Sequence, residues 1–164
     1  MTSRMWTCVR SFTSLKHLTI SDSSLSFPPS PPEPLPSVTK LSVNRVTSQC
    51  YEGLISSLPG LVDIDITVDD AEGDISHITA GIYRTGGQKL TSIHLCGPSS
   101  LSPERSRVSS ETIKGLGLVI KEHTQNLKKL HLRWLKCTDE GDFVYLMECC
   151  RRVKTMRYVS IAMV

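Results

Sequence analysis

The chain has 164 residues, of which 39% are hydrophobic and 21% are charged. This composition fits one folded domain of ordinary size and excludes a wholly disordered chain. The formal net charge of +3, from 19 basic and 16 acidic side chains, is too small to indicate nucleic-acid binding, so we expect no nucleic-acid partner.

The sequence contains no segment long and apolar enough to span a membrane, and residues 1–20 lack the apolar run of a secretory signal. We therefore expect a cytoplasmic protein with no membrane partner. The six cysteines are widely spaced, apart from one adjacent pair, and include no CxxC: Cys8, Cys50, Cys96, Cys137, Cys149 and Cys150. In that compartment we expect all six to be reduced.

A pattern of three apolar residues recurs along the chain: apolar, two variable, apolar, one variable, apolar. Because the second and third members lie two residues apart, they face the same side of a β-strand. The pattern therefore predicts six short strands whose apolar sides share one core. The six triplets are Leu15-Leu18-Ile20, Val38-Leu41-Val43, Leu61-Ile64-Ile66, Leu90-Ile93-Leu95, Leu127-Leu130-Leu132 and Val153-Met156-Tyr158.

Between these strands, apolar residues recur at helical spacing. The predicted helices carry, in chain order, Tyr51, Leu54, Ile55 and Leu58; Ile75, Ile78 and Ile82; Ile113, Leu116 and Ile120; and Phe143, Leu146, Met147 and Cys150. The expected start signals are Ser48, Ser110, and Thr138 or Asp139, and the expected stop signals are Pro59-Gly60 and Gly86-Gly87. Alternating strands and helices predict an α/β fold with a parallel sheet on the inside of an arc and helices outside.

Two stretches interrupt this rhythm. Residues 28–36 contain six of the nine prolines, so we expect a stiff proline-rich connector over residues 28–37 with no helix. Its PxxP spacing is also the spacing of SH3 ligands, which is the alternative interpretation. The stretch from Gly97 to Ser110 is expected to be an exposed loop.

Catalytic and metal-binding motifs are absent from the sequence: it has no GxSxG, HExxH, CxxC or GxxxxGK[ST]. His94 and His131 occupy the same position in successive predicted strands, so we expect their rings to be neighbours. The further groups at that place are Cys96 and Arg133, and the latter is unfavourable for a metal. We therefore predict no metal, no cofactor and no enzymatic activity.

The variable strand positions project from the side opposite the core and form a candidate partner-binding face. From the third predicted strand to the sixth, these positions change from acidic to basic, which would orient a charged protein partner. Trp134, next to Arg133, is a candidate aromatic anchor. The alternative is that these side chains are merely solvated. The candidate residues are Asp63, Asp65, His94, Lys129, His131, Arg133, Trp134 and Arg157.

The triplets, together with the segments SFTSLKHLTISDSSL, LPGLVDIDI, LTSIHLCG and LKKLHLRWLKCTDEGDF, resemble leucine-rich repeats, most of all the C-terminal repeats of NOD-like receptors. The resemblance covers residues 12–159. It implies a single leucine-rich-repeat domain over residues 1–164, a solenoid of about six irregular repeats with a concave sheet. The family usually has Asn or Cys three residues after each triplet, and this chain departs from it with Ser23, Val46, Asp69, Pro98 and Leu135.

Family membership implies a protein-binding module, either the ligand-sensing or the autoinhibitory repeats of an innate immune receptor. The alternative is the substrate-recognition repeats of an F-box type ubiquitin ligase adaptor, whose repeats are also irregular. The apolar residues from Tyr158 to Val164 are followed by no capping unit. We therefore expect a fragment of a longer solenoid with an open C-terminal edge that can pair with another chain, unless this tail folds back as its own cap.

Overall fold

A computed structural model describes residues 3–21, 33–44, 50–98, 107–137 and 139–163. The helices in these ranges are α1 (Ser3–Arg10), α2 (Tyr51–Ser56), α3 (Ala71–Thr85), α4 (Ser110–His123) and α5 (Glu140–Arg152). The strands are β1 (His17–Ser21), β2 (Lys40–Asn44), β3 (Asp63–Thr67), β4 (Ser92–Cys96), β5 (Arg107–Val108), β6 (Lys129–Cys137) and β7 (Tyr158–Met163). None of the described helices is long and apolar enough to cross a bilayer.

The seven described strands form one sheet in which every pairing is parallel, so the predicted α/β fold with a parallel sheet is confirmed. Strands β1, β2, β3, β4 and β6 lie side by side in that order, and β5 and β7 both pair with β6. One row of aligned residues across the sheet is Leu18, Leu41, Ile64, Ile93, Leu130 and Val159. The next apolar row is Ile20, Val43, Ile66, Leu95, Leu132 and Ile161.

The core lies between these two aliphatic rows and the helices. Within a strand, burial alternates as the pleat requires: in β3, Ile64 and Ile66 are fully buried while the residues between and beside them are partly exposed. Helices α2 to α5 pack one against the next, and their apolar sides join the same core. The predicted helical stripes are confirmed, except that Leu58 is buried beyond the end of α2 and that Phe143 and Met147 stay partly exposed.

The helix boundaries depend on side-chain caps and on one left-handed residue. Asp139 caps α5 as predicted, because its carboxylate accepts a hydrogen bond from the Gly141 N–H. Helix α4 is capped by Ser109 instead of Ser110, and the Ser109 hydroxyl accepts the Thr112 N–H. Gly86 ends α3 with φ of 73°, a conformation that glycine adopts without strain. Ser48 and Thr138 lie outside the described residues.

The sixth predicted triplet, Val153-Met156-Tyr158, is wrong in register. Val159 and Ile161 pair with Leu130 and Leu132, while Tyr158 pairs with Lys129 and is 51% exposed. The triplet that enters the sheet is Met156-Val159-Ile161, three residues later along the chain. Both triplets satisfy the apolar spacing, and the register is set by hydrogen bonds, since the N–H groups of Arg157 and Tyr158 both donate to the Lys128 carbonyl.

The proline-rich connector and the segment from Gly97 to Ser110 both contain residues that are buried against the rest of the protein. Residues 28–32 of the proline-rich connector lie outside the described residues, and residues 33–37 form no helix, as expected. Leu35 is buried there, and its N–H donates to the Ser57 carbonyl at 2.7 Å, which ties the connector to the end of α2. The expectation of an exposed loop from Gly97 to Ser110 is wrong at both described ends, because Gly97, Pro98 and Val108 are buried.

Candidate functional site

The outward side chains of the strands form the second face of the sheet, which we call the polar face. They stand in three rows, because the strands pair without stagger. The rows are His17, Lys40, Asp63, Ser92, Lys129 and Tyr158; Thr19, Ser42, Asp65, His94, His131 and Ser160; and Ser21, Asn44, Thr67, Cys96 and Arg133. Neighbouring strands lie about 4.8 Å apart, so row neighbours are close enough for their side chains to interact.

The acidic side chains of the polar face are both paired within the face. The Asp63 Oδ2 atom lies 3.4 Å from the Lys40 Nζ atom, and the Asp65 Oδ1 atom lies 3.0 Å from the His94 Nδ1 atom. The structure places Asp63 and Asp65 on the polar face, as the sequence predicts. The predicted change from acidic to basic is incomplete, however, because His17 and Lys40 add basic groups on the far side of these acids.

His94 and His131 form a stacked pair, so the predicted contact between them is confirmed. Their ring centroids are 4.5 Å apart and their planes differ by 19°. The contact with Asp65 assigns the His94 proton to Nδ1, since a carboxylate accepts hydrogen bonds there. The Nε2 atom of His94 is buried and has no hydrogen-bond partner among the described residues.

The second ring of the pair, His131, lies in an electropositive environment. Burial lowers the pKa of His131 from its usual value of 6.5, and the charges of His94 and Arg133 lower it further. On the other side, the ring of Tyr158 meets His131 edge-on, with centroids 6.2 Å apart. His131 is therefore held between an imidazole and a phenol and is mainly neutral at pH 7.

Three outward residues of β6, namely Lys129, His131 and Arg133, form what we call the basic strip. Lys129 and Arg133 are exposed and His131 is partly exposed. No carboxylate of the described residues forms an ion pair with Lys129 or Arg133. The strip therefore carries positive charge that the described protein leaves uncompensated.

Trp134 follows the basic strip at an irregular point of β6. Its φ is 55°, in the left-handed region that non-glycine residues rarely adopt, and the pairing with β7 shifts between Arg133 and Leu135. The Gly97 N–H donates to the Arg133 carbonyl at 2.7 Å, and a Cβ atom on Gly97 would clash with the Trp134 carbonyl oxygen. The Gly97 backbone therefore lies in close contact with β6 at this irregular point.

The conformation of β6 leaves the Trp134 side chain 43% exposed, with the Arg133 guanidinium carbon 5.8 Å from the ring centroid. A cation at this distance from an aromatic ring is attracted to its face. The sequence predicted Trp134 as an aromatic anchor, and the structure brings it together with Arg133.

Arg157 does not join the outward rows, in contrast to the prediction. It lies just before β7, is exposed, and its N–H donates to the Lys128 carbonyl at 2.9 Å. The outward positions of the last strand are instead taken by Tyr158 and Ser160, which the misplaced sixth triplet concealed. Arg157 and Lys128 stand together where β6 and β7 enter the sheet.

The polar face also carries a thiol and side chains of the types that bind metals. Burial raises the pKa of the Cys96 thiol, opposed by the charge of Arg133 and assisted by that of Asp65, so the thiol is protonated at neutral pH. Within the described ranges, no group of three or more His, Cys, Asp or Glu side chains is arranged to hold a metal ion. Cys8, Cys96, Cys137, Cys149 and Cys150 form no disulfide bond.

Two of the described cavities are lined by residues of α5 and β7, and one of these reaches Tyr158 beside the basic strip. One of about 350 Å³ is lined by Met147, Met156 and Val159, and one of about 440 Å³ by Cys137, Phe143 and Ile161. Both are open, and both lie where α5 and β7 leave apolar side chains partly exposed. The polar face therefore offers a broad surface for a partner, in contrast to an enclosed pocket.

Neither known protein families, nor curated proteins, nor solved structures match the chain.

Proposed function

We propose that this chain is a leucine-rich-repeat solenoid that binds a protein partner on its polar face. In this proposal the polar face is the concave side of the solenoid, and the chain acts as a cytoplasmic sensing or regulatory module of the NOD-like receptor type, without catalysis. The unstaggered parallel strands and the two shared apolar rows support the solenoid, because each strand repeats the position of its neighbour.

One observation carries the proposal: on the polar face and next to it, large aromatic side chains are in contact with solvent beside unpaired cations. Trp134 and Tyr158 are 43% and 51% exposed, and they lie on either side of Arg133 and His131. Aromatic and arginine side chains are the residues most often responsible for binding energy in protein interfaces. The opposite face of the sheet is covered by α2 to α5.

Site-specific photo-crosslinking in cells tests this proposal. A benzophenone amino acid is introduced on the polar face at Ser42 or Ser160, and on the helical side at Val144, which is 52% exposed. Adducts are identified by mass spectrometry, and the purified partner is then titrated against the wild-type chain. We expect the same partner from both polar-face positions and not from Val144. Adducts that form equally at Val144, or at neither polar-face position, would contradict the proposal.

A further inference from the structure

We infer that the basic strip binds an extended acidic segment of the protein partner. This inference rests on the proposed function and deepens it, because it names the chemistry of the partner and the strand that receives it.

The first argument is the balance of charge across the polar face. Asp63 pairs with Lys40 and Asp65 pairs with His94, so both carboxylates of the polar face interact with side chains of the same face. Lys129 and Arg133 have no such partner among the described residues. The outward residues beside them on β4 and β7 are Ser92, His94, Cys96, Tyr158 and Ser160, none of which is acidic. A negatively charged ligand therefore meets attraction along β6 with no opposing carboxylate on either adjacent strand.

The second argument is spacing. Lys129, His131 and Arg133 are alternate residues of one strand, so their side chains leave the same face about 6.4–6.8 Å apart. An extended peptide presents its own alternate side chains at the same interval. Acidic residues at alternate positions of such a peptide can therefore contact all three members of the strip in order. The weak overall charge of +3 favours a short acidic peptide over a nucleic acid, which needs a wider basic surface.

The third argument concerns the two ends of the strip. The Trp134 ring lies near Arg133 at one end, and Tyr158 pairs with Lys129 at the other. The planar guanidinium fork of Arg133 suits a carboxylate. The exposed Tyr158 forms one side of the path. An aromatic side chain beside each end gives the path a defined length.

Because of His131, we expect the affinity for the acidic segment to depend on pH. Its pKa is lowered in the free protein, and a carboxylate bound beside it would favour the protonated ring. Binding should therefore be accompanied by proton uptake and should tighten as the pH falls from about 7.5 to about 6. The groups that face the histidine pair from the neighbouring strands are Asp65 of β3, Cys96 of β4, Lys129 and Arg133 of β6, and Tyr158 of β7.

Fluorescence anisotropy of the full chain with a labelled peptide tests the inference. The probe is a peptide with glutamate at alternate positions, and its control has glutamine at those positions. The double variant Lys129→Gln/Arg133→Gln should weaken binding of the glutamate peptide at least about fivefold, because two charge-assisted contacts are lost. The matched control is Lys89→Gln/Arg152→Gln, which removes two exposed charges away from the polar face and should leave the affinity unchanged.

The results distinguish failure of this inference from failure of the proposed function. Absence of binding by the glutamate peptide, equal binding of the glutamine peptide, or equal affinity of the double variant and wild type would overturn the inference. A single-stranded oligonucleotide that binds more tightly than the glutamate peptide would overturn it in favour of a nucleic-acid site. If crosslinking succeeds on the polar face while affinity is insensitive to these charges, the proposed function stands and the acidic partner is rejected. If charge-dependent peptide binding occurs without polar-face crosslinks, the proposed function fails instead.

Discussion

The imidazole rings of His94 and His131 lie stacked across two neighbouring parallel strands, with their centroids 4.5 Å apart. Asp65 fixes one ring through its Nδ1, and Tyr158 meets the other edge-on. Four strands, β3, β4, β6 and β7, thus contribute to one continuous chain of side-chain contacts. His131 stands beside both His94 and Arg133, and the charges of these two groups lower its pKa after burial does.

We predict that Arg133→Gln raises the pKa of His131. The reason is that the guanidinium charge lowers this pKa, in addition to burial and the charge of His94. The measurement is a titration of the histidine ring protons by NMR in wild type and variant. Lys89→Gln, whose charge is remote from the pair, should leave the titration unchanged. A His131 pKa that stays the same or falls in Arg133→Gln would contradict the arrangement.

Asp74 gives a prediction about stability and pH. Its side chain is almost fully buried, and burial raises its pKa from 3.8 to about 6, although the N–H groups of Asp69 and Asp70 donate to it. The folded state therefore holds this proton more tightly than the unfolded state. As the pH rises from about 4 to about 6 the unfolded chain ionises first, so the free energy of unfolding falls across this interval and the loss persists above it.

We expect Asp74→Asn to remove this decrease, which for a shift of about two pKa units amounts to at most ~3 kcal/mol. Urea denaturation at a series of pH values measures it. Glu140→Gln, at an exposed position of α5, is the control and should retain the wild-type slope. An unchanged slope in Asp74→Asn would show that this carboxylate is not responsible.

The register of β6 is tested by two adjacent substitutions. Leu130→Asp places a charge where the side chain is fully buried between Ile93 and Val159, and we expect loss of folding, with a cost above ~4 kcal/mol. Lys129→Asp introduces the same residue one position earlier, on the polar face, and should stay folded. Circular dichroism and thermal unfolding distinguish the two. A folded Leu130→Asp protein would show that the sheet has a different register.

Two glycines should respond in opposite directions to the same substitution. Gly97→Ala brings a methyl group against the Trp134 carbonyl oxygen, and we expect destabilisation by about 1–3 kcal/mol together with a change in Trp134 fluorescence. Gly115→Ala, inside α4 with open space around it, should stabilise the protein by up to ~1 kcal/mol through helix propensity. Thermal unfolding of both variants measures this, and equal behaviour of the two would contradict the close contact at Gly97.

The triplet spacing was sufficient to predict the strands and their buried sides because apolar periodicity reports burial directly. It failed at the sixth triplet, where two overlapping triplets satisfy the same spacing and only hydrogen bonding to β6 selects Val159 over Tyr158. Strand β5 was not predicted, because its two residues form no apolar pattern. They are a strand only because they pair with the end of β6. Helix α1 was also missed.

The histidine pair could be predicted because both residues hold the same place in their triplets. The ion pair of Lys40 with Asp63 was not predicted, although the two residues hold the same place in their triplets. The positive φ of Trp134 could not be predicted, because no local sequence signal marks it, and the Gly97 backbone that contacts it lies far away along the chain. Contacts between residues far apart in sequence, and not local preference, determine this end of the site.

Because neighbouring strands pair without stagger, outward side chains lie at regular intervals in two directions on the polar face. The position of a side chain depends on its strand and on its place within the triplet, and does not depend on the length of the segment that connects one strand to the next. Between β3 and β4 a long helix intervenes, and between β4 and β6 a helix and an additional strand, yet Asp65, His94 and His131 still share a row. Exchanging outward residues between adjacent strands would thus move a charge by about 4.8 Å across the sheet without altering the core. The binding specificity of this face can therefore be changed by single exchanges of outward residues.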